Sequence, residues 1–249
     1  MPGALEERLL QRADVVGCLW AVLLDPDSLP PAELAETARL VEAAGADLLL
    51  VGGSSAGPGV FEAGMKAIRE IATIPVVLFP GSYHQVVEGA EGILFTSLLS
   101  GRNPQYLVEE QVKGAPRALK HGIEPLPTAY LLIESGKATT VQIVSGTTPL
   151  DPANQEAVLA HALAAQFMGM RWVYLEAGSG AQRAVPPELV TAVVEGTSLS
   201  VICGGGLRTP EDAGIRARAG ARMIVTGNAL EVRRDPEYLK AFASAIHAG

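Results

Sequence analysis

The chain has 249 residues, of which 48% are hydrophobic, and a formal net charge of −8. This length and apolar content suit one α/β domain with a large core, and the negative charge disfavours binding of nucleic acid or anionic membrane through a broad basic surface. Cys18 and Cys203 are the only cysteines, which argues against a disulfide framework or a thiolate metal site. Because residues 1–14 carry several charges and no apolar run approaches ~20 residues, we expect a soluble, cytoplasmic protein without an integral membrane segment.

Short apolar runs recur along the chain, and most are followed by an alanine-rich helical stretch. This pattern is typical of parallel strands with crossover helices. The predicted strands are residues 19–24, 47–51, 76–79, 92–96, 128–133, 172–175, 199–203 and 223–226. The predicted helices are residues 31–44, 60–72 and 151–168, with others beginning near residues 104 and 209. Eight such strands favour an α/β fold of the (β/α)8 TIM-barrel type over an open doubly wound sheet, and the absence of a linker predicts one domain over residues 1–249.

The unit after the third predicted strand is irregular. Only residues 82–91 separate that strand from the fourth, and Gly89 and Gly92 shorten the space further. We therefore predict an irregular or missing helix here, which would leave an apolar groove on the flank of the barrel.

Glycine-rich segments follow the last three predicted strands. They are Ala177–Gly180, Gly204–Gly206 and Gly227–Asn228. In such a barrel the loops after the strands carry the active site, and glycines let backbone N–H groups approach an anion closely. A helix beginning near residue 209 would add its positive N-terminal end. Tight turns explain any one of these loops equally well, but three in consecutive units predict a phosphate site.

Oxygen-bearing side chains follow the first two predicted strands. Asp25 and Asp27 come after the first, and Ser54 and Ser55 after the second. Mg2+ usually takes one or two carboxylates together with substrate phosphate oxygens, so Asp25 and Ser54 could share one ion. A turn or a helix cap also explains the two aspartates.

A carboxylate, Glu176, stands at the end of the sixth predicted strand, two residues after Tyr174. It could accept a proton from a substrate hydroxyl or hold that hydroxyl by a hydrogen bond. An ion pair with Arg208 would be a structural explanation. The four histidines show no metal-ligand spacing.

Taken in order, these loops resemble the geranylgeranylglyceryl phosphate synthases and the related bacterial heptaprenylglyceryl phosphate synthases. The matching segments are residues 24–27, 51–54, 79–82, 97–99, 174–180, 204–208 and 226–228. The segment 174–180 is similar to the archaeal-type subgroup. Two positions differ from that family's usual pattern, with Ser28 in place of a lysine and Ser100 in place of an asparagine.

The resemblance implies a prenyltransferase of phospholipid biosynthesis in which Asp25 and Ser54 bind Mg2+, and Mg2+ binds the diphosphate of a polyprenyl donor, expected to be geranylgeranyl diphosphate. It also implies that one set of loop residues binds sn-glycerol 1-phosphate. That set is Tyr174, Leu175, Glu176, Ala177, Gly178, Ser179, Gly180, Gly205, Gly206, Gly227 and Asn228. Glu176 would be catalytic, orienting or deprotonating the C3 hydroxyl that attacks the donor and releases pyrophosphate.

The resemblance further implies that the prenyl tail follows the flank groove, and that the protein is a homo-oligomer with a lipid product. The groove residues expected to contact the tail are Phe79, Tyr83, Phe95 and Leu99. Two other functions stay open at this point. One is a barrel lyase or isomerase acting on a sugar or indole phosphate, although Glu176 lacks an obvious acid–base partner. The other is a non-catalytic phosphometabolite binder, which the loss of a positive charge at Ser28 keeps open.

Overall fold

The computed structural model describes residues 3–53, 57–227 and 233–249. The strands are β1 Leu19–Leu24, β2 Leu48–Val51, β3 Val76–Leu78, β4 Gly92–Leu98, β5 Glu124–Leu132, β6 Trp172–Glu176, β7 Ser200–Gly204 and β8 Met223–Thr226. All are parallel, each pairs with the next, and β8 pairs with β1 to close the barrel. The closed order confirms the predicted TIM barrel and excludes an open sheet.

Helices surround the barrel and also cover one of its ends. They are α1 Ala4–Val16, α2 Pro31–Ala44, α3 Pro58–Arg69, α4 Glu110–His121, α5 Thr140–Ser145, α6 Gln155–Phe167, α7 Pro187–Gly196, α8 Pro210–Arg218 and α9 Pro236–His247. Proline at the first helical position and glycine after the last explain the bounds of α2. Among the helices of the described ranges, none has the length and apolar character needed to cross a bilayer.

Strand β5 begins four residues earlier than its predicted start at residue 128. Pro125 and Pro127 hid this extension, because proline cannot donate to a strand ladder and is rare inside sheets. The structure tolerates both prolines because β6 pairs with β5 only from Thr128 onward, while β4 pairs with β5 from Glu124 to Tyr130.

The irregular unit after β3 is confirmed. A single 3-10 turn, Tyr83–Gln85, stands where the other units carry a helix. The Tyr83 N–H donates to the Glu110 carboxylate over 2.7 Å, and the buried Gln85 side chain donates to the Gly53 carbonyl over 2.9 Å and accepts from the Gly81 N–H over 2.8 Å. This turn therefore joins the loops after β2 and β3 and leaves the adjoining flank of the barrel open.

Side chains alternate between two apolar layers along each strand. On β6, Trp172 and Tyr174 belong to the cluster inside the barrel, whereas Val173 and Leu175 belong to the cluster between the barrel and its helices. This alternation with a period of two residues decides which strand residues can face a ligand at the mouth of the barrel.

Helix α1 closes the N-terminal end of the barrel. Its Leu5 and Leu9 pack into the interior cluster. Glu124 accepts the N–H groups of Leu5 and Glu6 over 2.8 and 2.9 Å, satisfying two donors at the helix N-terminus. The buried Glu6 carboxylate in turn binds the Trp172 indole N–H over 2.9 Å and the Arg171 guanidinium over 2.6 Å. The opposite end is left open.

A buried carboxylate, Asp47, ties three segments of the chain together beside β1. It accepts hydrogen bonds of 2.8 Å from the Trp20 N–H, from Arg12 Nε on α1 and from His247 Nε2 on α9. Burial disfavours its charged form, but these partners outweigh that effect and lower the pKa of Asp47 below its ordinary value. The charged carboxylate therefore stabilises the fold.

Replacing Asp47 with asparagine should reduce the free energy of unfolding by about 2 kcal/mol at neutral pH, because the charged acceptor is lost. The pKa of Asp47 is lower in the folded than in the unfolded chain, so its contribution is present above the unfolded value of about 4 and is lost as the pH falls further. Urea unfolding of wild type and Asp47→Asn at falling pH measures this.

The difference in the free energy of unfolding between wild type and Asp47→Asn should shrink below about pH 4. Asp14→Asn is the matched control, since Asp14 forms an ion pair with Arg222 but its side chain is 68% exposed, and it should change little at any pH. An Asp47→Asn loss that stays constant with pH would show that the carboxylate acts through packing and not through its charge.

Candidate active site

A cavity of about 800 Å3 opens at the C-terminal ends of the strands. One end is polar and is lined by residues that follow β1, β2, β6, β7 and β8. The other end is apolar and reaches the flank left open after β3, between the 3-10 turn and α4. The cavity thus joins an environment suited to anions to one suited to a hydrocarbon chain.

Glu176 is the last residue of β6 and faces this cavity with only 6% of its surface exposed. Its Oε1 accepts the Gly178 N–H over 2.6 Å, and the Tyr174 hydroxyl hydrogen bonds to the same carboxylate. Burial raises the pKa of Glu176 above its ordinary value, and the two hydrogen bonds offset only part of that increase. A carboxylate tuned this way is a better proton acceptor than an exposed glutamate.

Three aromatic rings form the wall of the cavity beside Glu176. Tyr174 lies 5.5 Å from Phe79 and 5.4 Å from Tyr130 between ring centroids. Burial raises the pKa of both tyrosines well above the ordinary value, and the nearby Glu176 charge adds to this. Both hydroxyls therefore stay protonated. Tyr130 is not among the site residues predicted from the sequence, although its inward position on β5 follows from the alternation of side chains with a period of two.

The alternation along β6 and the following turn sorts the predicted acceptor residues into two groups. Tyr174, Glu176, Ser179 and Gly180 line the cavity. Leu175, Ala177 and Gly178 are not among its lining residues: Leu175 and Ala177 pack in the layer between barrel and helices, and Gly178 supports Glu176 through its N–H. Any part these three have in ligand binding is exerted through the backbone or through their neighbours.

The glycine loops after β7 and β8 also reach the cavity. Gly205, Gly206 and Gly227 line it, whereas Asn228 lies outside the described residues. Gly205 has φ +77°, and a Cβ atom there would stand 2.2 Å from Glu176 Oε1. Only glycine combines this left-handed backbone with so close an approach to the carboxylate. The helix predicted to begin near residue 209 is α8, capped by Thr209, whose hydroxyl accepts the Asp212 N–H over 3.1 Å.

The predicted metal ligand Asp25 lines the polar end of the cavity together with Asp27. Asp25 Oδ1 accepts the Asp27 N–H over 2.9 Å, so the carboxylate also shapes its own turn. A Cβ on Gly53 would stand 2.3 Å from that oxygen, which shows how closely the ends of β1 and β2 approach. Ser54 and Ser55 lie outside the described residues.

A metal site built by the protein alone is absent from the described ranges, because no three His, Cys, Asp or Glu side chains cluster there. One carboxylate at a cavity wall, with substrate phosphate and water completing the shell, is a common arrangement for Mg2+. The donor set around Asp25 therefore fits Mg2+ delivered with a phosphorylated ligand, and it does not fit zinc.

Two arginines that the sequence did not mark as ligands line the cavity mouth. Arg208 donates to the Ala181 carbonyl over 3.0 Å, so it does not form the ion pair with Glu176 that the sequence left open. Arg233 lies over the Tyr238 ring, 4.6 Å from its centroid. The Tyr238 hydroxyl donates to the Arg208 carbonyl over 2.7 Å and links the two segments.

The apolar end of the cavity contains three of the four residues expected in the flank groove. Phe79, Tyr83 and Phe95 line it. Leu99, the fourth, lies beyond the end of β4, is not among the lining residues and packs against the cluster between barrel and helices. Gly114 of α4 completes the groove, and a Cβ there would make only ordinary contacts with Val86 and Tyr83 at 3.6 and 3.8 Å.

This closed barrel, with a buried carboxylate between glycine loops and an apolar groove, has the architecture of a TIM-barrel enzyme that handles a ligand with a polar head and a long apolar part. The model of the PcrB family matches residues 13–246. The chain is 45% identical over 224 residues to the geranylgeranylglyceryl phosphate synthase of Methanopyrus kandleri, covering 90% of this chain and 92% of the relative. It is 44% identical over 232 residues to that of Thermococcus gammatolerans, covering 93% and 91%.

Among solved structures, the chain is similar to (S)-3-O-geranylgeranylglyceryl phosphate synthase from Thermoplasma acidophilum in complex with its substrate sn-glycerol-1-phosphate. The TM-score is 0.92 and the identity 36%, with 100% of both chains covered. The protein therefore belongs to the PcrB family of prenyltransferases. This membership confirms the resemblance inferred from the loop sequences.

Substituting Gly205 with alanine should lower the free energy of unfolding for two reasons. The left-handed backbone strains any side chain by about 1 kcal/mol, and the new methyl group collides with Glu176. Gly122→Ala is the matched control, because Gly122 has φ +65° but nothing lies within 4 Å of its Cβ position. Urea unfolding should show a loss for Gly205→Ala that exceeds the control by roughly 1–3 kcal/mol. Equal losses in both variants would contradict the proposed contact with Glu176.

Proposed function

We propose that the protein joins the C3 hydroxyl of sn-glycerol 1-phosphate to C1 of a polyprenyl diphosphate, most simply geranylgeranyl diphosphate, forming an ether and releasing pyrophosphate. The observation that carries this proposal is the position of Glu176, a buried carboxylate at the junction of the glycine loops with the apolar groove. Relatives of this name and the Thermoplasma acidophilum structure with sn-glycerol-1-phosphate support the choice of substrates.

The polar end of the cavity suits the acceptor. Gly180, Gly205, Gly206 and Gly227 line it, so backbone N–H groups can approach a phosphate there. We assign acceptor binding to the segment 174–180 and to these loops, including Asn228. The glycerol part of the acceptor would then lie against Tyr174 and Glu176, with its C3 hydroxyl directed at the carboxylate.

Glu176 acts as the general base in this proposal. As the C3 oxygen forms its bond to C1 of the donor, the bond from C1 to the diphosphate oxygen breaks, and the hydroxyl proton moves to the Glu176 carboxylate. The elevated pKa suits a group that must accept this proton yet still lose it in each turnover. No covalent intermediate with the protein is needed.

The walls of the cavity favour the charge that develops on the donor. An allylic C1 becomes positive as the diphosphate departs, and the aromatic rings of Phe79, Tyr130 and Tyr174 line the cavity. Aromatic faces attract cations, so they stabilise this state. The groove beyond them, with Tyr83 and Phe95, would bind the prenyl tail and exclude water from the reacting carbon.

We assign the proposed Mg2+ to Asp25 and Ser54, at the ends of β1 and β2. When bound, Mg2+ would neutralise charge on the diphosphate leaving group. Asp25 supplies the carboxylate oxygen and Asp27 shapes the turn that presents it. We also expect the enzyme to act in the cytoplasm, as a homo-oligomer, on partners that are small phosphorylated molecules and not nucleic acid.

The proposal is tested by measuring pyrophosphate release with prenyl diphosphates of several chain lengths and both enantiomers of glycerol phosphate. Release should require donor and acceptor together, should favour sn-glycerol 1-phosphate, and should stop on chelation of divalent cations and resume with added Mg2+. No release at any prenyl length with either enantiomer would overturn the proposed activity. Release that persists after chelation would remove Mg2+ from the proposal and leave the transfer reaction intact.

Glu176→Gln should lower kcat by about 100-fold or more, since general-base catalysis contributes on that scale. In the wild type, kcat should fall as the pH drops below the raised pKa of Glu176, because the carboxylate becomes protonated and cannot accept the hydroxyl proton. Tyr174→Phe removes a hydrogen bond that favours the charged carboxylate, so the acidic limb of the kcat profile should move to higher pH.

The pH profile of kcat at saturating substrates measures both effects. Glu91→Gln is the control, because Glu91 forms an ion pair with Arg8 at the opposite end of the barrel and its side chain is 36% exposed. If the acidic limb of the kcat profile of Tyr174→Phe stays in place or moves to lower pH, the Tyr174 hydroxyl does not lower the pKa of Glu176.

A further inference from the structure

The segment between β5 and α5 packs against the loop that follows β6. The Arg183 N–H donates to the Ser135 carbonyl over 3.0 Å, and the Arg183 guanidinium forms an ion pair with Glu134 over 2.8 Å. Farther along, Thr139 lies so close to Gly178 that a Cβ there would stand 2.5–2.7 Å from its side-chain atoms. The two segments are therefore held together at both ends of this contact.

Lys137 lies between these anchors, and its exposed side chain lies beside the glycine loop, just outside the lining of the cavity. Gly136, just before it, has φ +97° and donates its N–H to Glu134 Oε1 over 2.5 Å. The Lys137 Nζ atom lies 3.6 Å from the position that a Cβ on Gly180 would occupy. Since Gly180 lines the polar end of the cavity, the ammonium group stands beside the segment to which we assign the acceptor.

This ammonium group has no ion-pair partner among the described residues. Glu134, the nearest acidic residue along the chain, is engaged by Arg183 and by the Gly136 N–H. Holding a lysine side chain in one position costs rotational entropy. An anion bound beside the Gly180 loop would offset that cost by pairing with the ammonium group.

The cavity wall carries more negative than positive side chains, so an additional cation would favour binding of an anionic ligand. Its described wall contains four carboxylates, of Asp25, Asp27, Glu110 and Glu176, but only two arginines, Arg208 and Arg233. Arg233 is itself paired with Asp235. A phosphate monoester carries about 1.5–2 negative charges at neutral pH, and backbone N–H groups offer it only partial positive charge.

We propose that Lys137 is a substrate-binding residue whose ammonium group contacts the phosphate of the acceptor beside Gly180. This assignment rests on the function proposed above and adds a residue from β5–α5 to a site otherwise formed after β6, β7 and β8. It also gives the acceptor site a preference for a dianionic phosphate over an uncharged glycerol derivative.

The test compares Lys137→Met, which keeps most of the length but removes the charge, with Lys137→Arg, which keeps the charge. Lys120→Met is the matched control, because Lys120 is an exposed lysine near the end of α4 at the opposite end of the barrel. KM for sn-glycerol 1-phosphate, KM for geranylgeranyl diphosphate and kcat are measured for each. Calorimetry without donor measures binding of sn-glycerol 1-phosphate and of inorganic phosphate, and thermal unfolding checks folding.

Lys137→Met should raise KM for the acceptor about tenfold, the usual scale for loss of one charge-assisted hydrogen bond, and should weaken acceptor and phosphate binding to the same degree. KM for the donor should change less than about twofold, and Lys137→Arg should recover most of the acceptor affinity. An acceptor KM and affinity within about twofold of wild type in Lys137→Met, or an equal loss in Lys120→Met, would overturn the assignment.

Failure of the proposed function gives a different result. If wild type releases no pyrophosphate with any substrate pair, the transfer reaction is wrong, but weaker calorimetric binding of inorganic phosphate by Lys137→Met would still identify Lys137 as a phosphate ligand. If Lys137→Met unfolds at a much lower temperature than wild type, Lys137→Gln replaces it in the same comparison.

Discussion

The alternation of side chains along closed, parallel strands determines what this protein can present to a ligand. On β6 it directs Tyr174 and Glu176 into the barrel and Leu175 outward. Because neighbouring strands are paired in fixed register, Glu176 stands opposite Gly204, and the absence of a side chain at Gly205 makes room for its carboxylate. A shift of one residue in that register would put a leucine in the place of the buried Glu176 carboxylate.

The strand and helix pattern of the sequence was sufficient to predict the barrel, since β1, β8 and α2 have the bounds that their apolar runs, Pro31 and Gly45 indicate. The loop sequences indicated the family more clearly than they indicated which loop residues face the cavity. Their residues pointed to the PcrB family, but whether a residue after a strand faces the cavity depends on details of each turn. Leu99 illustrates this, because it follows β4 as closely as the true lining residues do and yet packs outward.

Other features of the site depend on contacts between residues distant in sequence, which periodicity cannot reveal. Tyr130 joins the aromatic wall because β5 lies beside β6, and Lys137 approaches Gly180 because two loops pack together. The raised pKa of Glu176 likewise results from burial that only the folded barrel supplies. By contrast, the open flank was predictable, since ten residues between two strands leave no room for a full helix.

Helix α1 has a consequence for the order in which the chain can fold. It is synthesised before any strand, yet its partners Glu124, Arg171 and Trp172 lie 118–166 residues later. Until those residues have emerged, Leu5 and Leu9 have no barrel interior to enter, and the nascent chain exposes them to water. The helix that closes the bottom of the barrel therefore docks late, and sequence-distant closure of this kind slows folding relative to a fold built from local contacts.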